Sequence, residues 1–255
     1  MRNHVALLIL IGALVVGWTG NSHAQTLLVA KAPGISSSEI VSRMMSMNEK
    51  RAAALKGFTS ERTYDLDYSG FPSHKHAKMV IDVTFKAPQD KQLNIVSEEG
   101  SELLRKHVLR KLVESELEAN DRSSKASTAL TNANYEFSLV GREEKDGRNC
   151  FILEVKPRAK SKFLYEGRVW VDVEEFAVVH IQARPAKNPS FWVNRAEIEH
   201  RYEKVGQFWL PVSNRSTSST RLGGHATLAI DYGSYKVEPP ASSASQQIPA
   251  QGGSQ

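Results

Sequence analysis

The sequence predicts an α+β domain, mainly β: a single curled antiparallel sheet of about ten or eleven strands, with two helices that both come early. Three observations predict it. From Lys162 to Pro211, apolar and polar residues alternate with period two through four consecutive segments, the pattern of an antiparallel sheet with one face in water and one covered. Only two stretches, from about residue 38 to 55 and from about 102 to 120, space their apolar residues as helices do. A sheet of so many strands curls, and curling encloses a space.

From the N-terminus, Arg2 and His4 precede an apolar run from Val5 to Val16, and Ser22-His23-Ala24 places small residues before Gln25. This is the form of a secretory signal peptide over 1–24, cleaved on export; the apolar run is short for a bilayer span, which needs about 20 residues. No cysteine follows it to carry a lipid, so a soluble exported protein is expected. Residues 25–37 read as an extended leader and 38–238 as the folded domain. Ser36-Ser37-Ser38-Glu39 opens the first helix, with Ser38 or a neighbour as N-cap and Glu39 near the positive helix end. Ile40, Met44 and Met47 form its apolar face, and Gly57 ends it. The methionines at 44, 45 and 47 suit either irregular core filling or a pliable surface for apolar ligands.

Alternation resumes from Phe58 to Tyr68, with Phe58, Tyr64, Leu66 and Tyr68 on one face. Gly70-Phe71-Pro72 turns the chain into a strand bearing Met79, Ile81, Val83 and Phe85, and Leu93 and Ile95 continue the sheet after a turn at Pro88-Gln89-Asp90. The second helix, Glu102 to about Asn120, carries Leu103, Leu104, Val108, Leu109, Leu112, Val113 and Leu117 around more than half its circumference. Such a broad stripe suits a helix contacted on two sides, as one lying across an opening would be. Asp121 to Asn134 reads as a loop with a helical turn. Strands then run from Tyr135 to Val237, punctuated by an Asp146-Gly147 hairpin, a Glu174-Glu175 turn, the Asn188-Pro189 break, Val205-Gly206-Gln207 and a last turn near Gly223-Gly224. Residues 239–255, rich in Pro, Ser, Gln, Gly and Ala, read as a disordered low-complexity tail.

Without residues 1–24 the chain keeps 255 − 24, or 231, residues, enough for one large β domain. Its formal charge of +5 is spread among acidic neighbours, which argues against a nucleic-acid surface. Cys150 is the only cysteine; it excludes an intramolecular disulfide and fits a buried, inert strand residue. No nucleophile elbow, zincin motif, C-x-x-C or phosphate loop is present, so no catalytic residue, metal or cofactor is assigned and an enzyme is not expected. His74 and His76 share a strand face without an evident third ligand and are read as a solvated turn. His200, between Ile198 and Tyr202, is read as a lining residue, and Asp65 and Asp67 as surface charges. Trp170 and Trp209 lie opposite the apolar faces of their strands, either covered by Lys or Arg stems or forming a partner surface.

The order signal peptide, helix, three strands, helix and long antiparallel run resembles that of the LolA-like family of outer membrane lipoprotein-sorting proteins. Glu166-Gly167-Arg168-Val169-Trp170-Val171-Asp172, Pro185-Ala186-Lys187-Asn188-Pro189-Ser190-Phe191-Trp192 and Phe208-Trp209-Leu210-Pro211 carry the local resemblance. It covers nearly all of the chain between leader and tail, and its motifs are structural rather than catalytic. It implies a half-open, unclosed β-barrel with the two helices as lid or plug over an apolar cavity. It further implies a soluble periplasmic carrier that takes acyl chains of lipoproteins or other lipids from an inner-membrane donor toward an outer-membrane acceptor. A monomer is expected. The alternative is a periplasmic sensor of lipids or lipoproteins signalling to a membrane partner; a third reading is a structural protein whose barrel is filled by its own side chains. Alternation nominates Tyr64, Ile81, Val83, Phe85, Phe163, Tyr165, Val169, Val171, Ile198, Tyr202, Leu228 and Ile230 for the cavity wall, and Met44, Met47, Leu104 and Val108 for the lid.

Overall fold

The computed structural model describes residues 34–238 except 72, 89, 119–126, 162, 189–192 and 222. The expected signal peptide, the leader through residue 33, the tail from 239 and positions 189–192 of the quoted motif lie outside the described residues. Helix α1 (Ser37–Ala54) precedes three strands, β1 (Gly57–Ser69), β2 (Lys75–Lys86) and β3 (Asp90–Gly100). A second helical stretch follows: α2 (Glu102–Leu104), a π turn (Arg105–Leu109) and α3 (Arg110–Glu118). Seven strands complete the domain: β4 (Tyr135–Lys145), β5 (Arg148–Pro157), β6 (Tyr165–Asp172), β7 (Val178–Pro185), β8 (Val193–Val205), β9 (Phe208–Thr220) and β10 (His225–Val237).

All ten strands form one antiparallel sheet in the order β3-β2-β1-β10-β9-β8-β7-β6-β5-β4. Since β3 and β4 pair with one neighbour each, the curled sheet is an unclosed half-barrel, as the alternation and strand count require. Asp146 and Gly147 take φ of 50° and 75° in the β4–β5 hairpin, the left-handed pair that a two-residue turn needs to match strand twist. Gly167 has a steric reason: a Cβ there would stand 2.3 Å from the Gln182 carbonyl oxygen, so β6 and β7 lie too close for any other residue.

The helices differ from expectation in detail. Ser36, not Ser38, caps α1, its hydroxyl accepting from the Glu39 N–H at 3.2 Å. The helix stops at Ala54, Leu55 is already extended, and Gly57 opens β1 rather than ending the helix. Its buried face is Ile40, Val41 and Met44, flanked by Met45. Met47, nominated for the lid, is half-exposed and outside that cluster, because the helix meets the sheet through its first two turns. In the second stretch the Arg110 N–H reaches back five residues to the Arg105 carbonyl. This extra residue re-phases the apolar stripe. Leu104, Val108, Leu109, Leu112 and Val113 therefore bury together on one side, while Leu103 and Leu117 face solvent. The two-sided contact expected from the broad stripe is not what the π turn produces.

The convex face is not wholly in water either. Cys150, Ile152, Trp170 and Val179 form a small cluster there, with Trp209 packed against it. Trp170 is buried beneath the Lys145 ammonium, 5.0 Å from its ring, and donates its indole N–H to Glu143 at 2.6 Å. Arg148 covers Trp209 at 5.0 Å, and that indole donates to Glu175 at 2.9 Å. Both tryptophans are thus sheathed by cationic stems. Cys150 is fully buried, and desolvation followed by nearby Asp172 pushes its thiol up to about 11, which leaves it unreactive near neutrality.

Candidate functional site

The concave face holds two apolar basins, each beneath one helical stretch. Under α1, Ile40, Val41 and Met44 pack on Phe151, Leu153, Val169, Val171, Ile181 and Ile198, flanked by Tyr165 and Tyr202. Under the second stretch, Leu104, Val108, Leu109, Leu112 and Val113 pack on Tyr64, Leu66, Met79, Ile81, Val83, Leu228 and Ile230. The nominated wall residues divide between the two: Tyr165, Val169, Val171, Ile198 and Tyr202 in the first, and Tyr64, Ile81, Val83, Leu228 and Ile230 in the second. Phe85 stands in neither cluster, its ring 5.4 Å from that of Phe58. Phe163 is 54 % exposed in a turn, because β6 begins only at Tyr165 and the alternation does not extend back to it. Met44, nominated for the lid, is buried in the first cluster, and Leu104 and Val108 in the second.

Between the basins runs a polar seam that the sequence reading missed. On β9, Ser216 pairs with Ile198 on one side and Leu228 on the other, Asn214 with His200 and Ile230, and Ser218 with Ala196 and Ala226. Ser216 and Ser218 are buried. Ser60 and Arg62 continue the polar character onto the β1 inner face, where both are buried. Ser60 Oγ, Ser218 Oγ and Arg62 Nε have no hydrogen-bond partner among the described residues, and an unpaired buried polar atom costs about 1–3 kcal/mol.

Arg62 is the centre of the one strongly electrostatic feature of the concave side. Its Nη1 donates to both carboxylate oxygens of Glu116 on α3, at 2.7 and 2.9 Å. Lys91 of β3 donates to the same carboxylate, the Tyr64 hydroxyl stands 3.4 Å from it, and the Tyr232 ring lies 4.8 Å from the guanidinium. Burial pushes the Glu116 carboxyl up, but Arg62 and Lys91 outweigh it and hold the group below the usual carboxylate range. The other end of the stretch is tied by Arg110 and Arg105 to Glu98 of β3. The only sequence signal for Arg62 was a gap: the apolar face of β1 skips from Phe58 to Tyr64.

His200, in the seam beside Tyr202, is pushed down to about 4 by burial and then by the charge of His180. It is therefore a neutral lining residue at neutral pH. On the convex side His180 is buried between Asp146 at 3.3 Å and Glu199 at 3.2 Å. Beside it, Asp146, Arg148, Arg201, Glu203, Lys204 and Trp209 line a charged depression of about 260 Å³, which reaches Tyr202 at the edge of the first basin.

Among the described residues no helix is long and apolar enough to cross a membrane. No family model matches the sequence, and no curated protein matches it. Solved structures similar to the chain include a DUF1329 family protein from Desulfovibrio piger, 14 % identical, covering 82 % of this chain and 96 % of that one with a TM-score of 0.40. A LolA superfamily protein from Nitrosomonas europaea is 12 % identical, covering 80 % and 94 % with a TM-score of 0.33. An outer membrane lipoprotein-sorting protein domain from Vibrio parahaemolyticus is 10 % identical, covering 78 % and 94 % with a TM-score of 0.36.

Proposed function

We propose that the protein is a non-enzymatic periplasmic carrier that holds acyl chains of lipoproteins or other lipids inside the half-barrel, for transfer from an inner-membrane donor toward an outer-membrane acceptor. The observation that carries this reading is the second basin, an apolar wall of Tyr64, Ile81, Val83, Leu228 and Ile230 covered by the side chains of one helical stretch. Five buried aliphatic side chains of that stretch contribute on the order of 10 kcal/mol of burial. One long acyl chain, at roughly 0.8 kcal/mol per methylene, contributes about the same. Exchanging helix for ligand is therefore nearly balanced, which is what reversible loading and release require. The unpaired Ser60, Ser218 and Arg62 atoms give the polar end of such a ligand its partners.

The test is to purify the chain from its native compartment, extract it for lipid mass spectrometry, and measure uptake of a fluorescent fatty acid. Co-purified acyl lipid, with uptake weakened by Ile81→Asp, is expected. Neither acyl lipid nor uptake would sink the reading. Depleting the protein in its host then separates roles: mislocalised lipoproteins are expected of a carrier, whereas unchanged sorting with an altered envelope-stress response would indicate a sensor instead.

A further inference from the structure

The outside of the barrel, behind the second basin, carries a group of side chains that lipid binding leaves unused. Tyr64, Leu66 and Tyr68 point inward from β1, so the intervening Asp65 and Asp67 point outward. His76 of β2 stands directly opposite Asp67 in the register, and His74 lies just before that strand. From sequence the two histidines lacked a third ligand; pairing of β1 with β2 supplies two carboxylates. His76 Nε2 lies 3.2 Å from Asp65 Oδ1, and His74 Nε2 lies 3.4 Å from Asp67 Oδ1. One ligand atom from each of Asp65, Asp67 and His76 falls within 4.8 Å of the others.

The two histidine–aspartate spacings match ligand separations in a metal's coordination shell, while His74, close to Asp67 but outside the mutually close trio, lies just before β2 and closes on the ion by turning its side chain. Around a tetrahedral ion with bonds of about 2.0–2.2 Å, neighbouring ligand atoms stand about 3.3–3.6 Å apart. Both histidine–aspartate pairs are already close to that separation. Three of the four residues sit on paired antiparallel strands, which fix their backbones. The β10 residues beside Asp65 and Asp67 are Ala229 and Thr227, short side chains that leave the face open. His225 opens β10 opposite Ser69, so three of the chain's eight histidines gather at this end of the sheet. Two imidazoles with two carboxylates suit zinc and its borderline neighbours; calcium and magnesium prefer all-oxygen shells.

We propose that Asp65, Asp67, His74 and His76 bind one divalent transition-metal ion of the zinc class on the convex face, tying β1 to the start of β2. Two solvated histidine–aspartate hydrogen bonds are the competing account, and metal titration separates them. Calorimetric titration of the purified, untagged chain with zinc chloride is expected to show one site of micromolar affinity. His76→Ala and Asp67→Asn are each expected to weaken it by roughly tenfold or more, while His107→Ala, on the π turn, leaves it unchanged. Cobalt bound to the unmutated chain is expected to give the intense visible bands of tetrahedral coordination, lost on adding zinc. No binding up to millimolar zinc, affinity unchanged in both site variants, or equal displacement by magnesium would each overturn the proposal. All four side chains are substantially exposed, so metal-free variants are expected to melt with the parent; a variant that does not is replaced by the cobalt measurement on the unmutated chain.

Discussion

The two halves of the concave face are built alike and fastened differently. Helix α1 reaches its basin through Ile40, Val41 and Met44, and its polar ties run from Arg51 to the Glu175 carbonyl and from Arg43 over the Phe176 ring at 5.3 Å. The second stretch buries more apolar side chains and is also held at both ends by carboxylates, Glu116 on Arg62 and Lys91, and Glu98 on Arg110 and Arg105. Packing and one charged tie, Arg51 to Glu175, hold the first cover; packing and carboxylate clusters at both ends hold the second. Apolar packing has few alternative partners, whereas an ion pair can be traded for water, salt or another anion. A half-barrel with one cover of each kind has one side suited to stay and one suited to move, and the π turn lies in the latter.

Four measurements would break or sharpen that contrast. The largest effect is expected from Arg62→Leu, which leaves Glu116 half-buried with Lys91 alone: about 3 kcal/mol of stability lost in urea unfolding. Amide exchange should quicken across residues 104–117 and stay unchanged in the first turns of α1; equal quickening in both helices would dissolve the distinction. Met44→Ala should cost about 2–3 kcal/mol through the cavity it opens, with the exchange pattern reversed. The third test is pH. His200 is held at about 4 in the folded chain, below its ordinary 6.5, so the unfolded chain takes up the proton first. Stability is then fully present above about pH 6.5 and falls as pH drops toward 4, by on the order of 2 kcal/mol after allowance for partial exposure. His200→Gln should flatten that slope, and an unaltered slope would place its origin elsewhere. The smallest effect is salt: high ionic strength should loosen the second stretch by at most about 1 kcal/mol and α1, with its single ion pair, by less.

Much of this architecture was legible because side chains on a strand alternate. The inner faces of β1, β2, β6, β8 and β10 could be written down from period two, and most residues nominated for the wall pack into one apolar cluster or the other. The seam was not legible, since from Ser213 to Thr220 both faces of β9 are polar and alternation has nothing to register. The π turn escaped for a related reason: one added residue changes the phase of a helix without changing its composition. Sequence left open whether Trp170 is covered or forms a partner surface because the residues that bury it, Glu143 and Lys145, come from another strand. Phe163 failed because alternation was carried past the end of its strand.

The strand order also dictates when the molecule can be finished. Strands β1 and β10, from the two ends of the domain, lie side by side as the third and fourth strands of the sheet, paired from Phe58↔Val237 to Ser69↔His225, and the Glu238 N–H closes onto the Gly57 carbonyl at 2.9 Å. Until β10 exists, β1 to β3 form a meander with its inner edge bare, and the second basin lacks Leu228 and Ile230. Contacts so distant in sequence form slowly and cannot form during synthesis. A nascent chain of this kind stays unfinished until its last strand arrives.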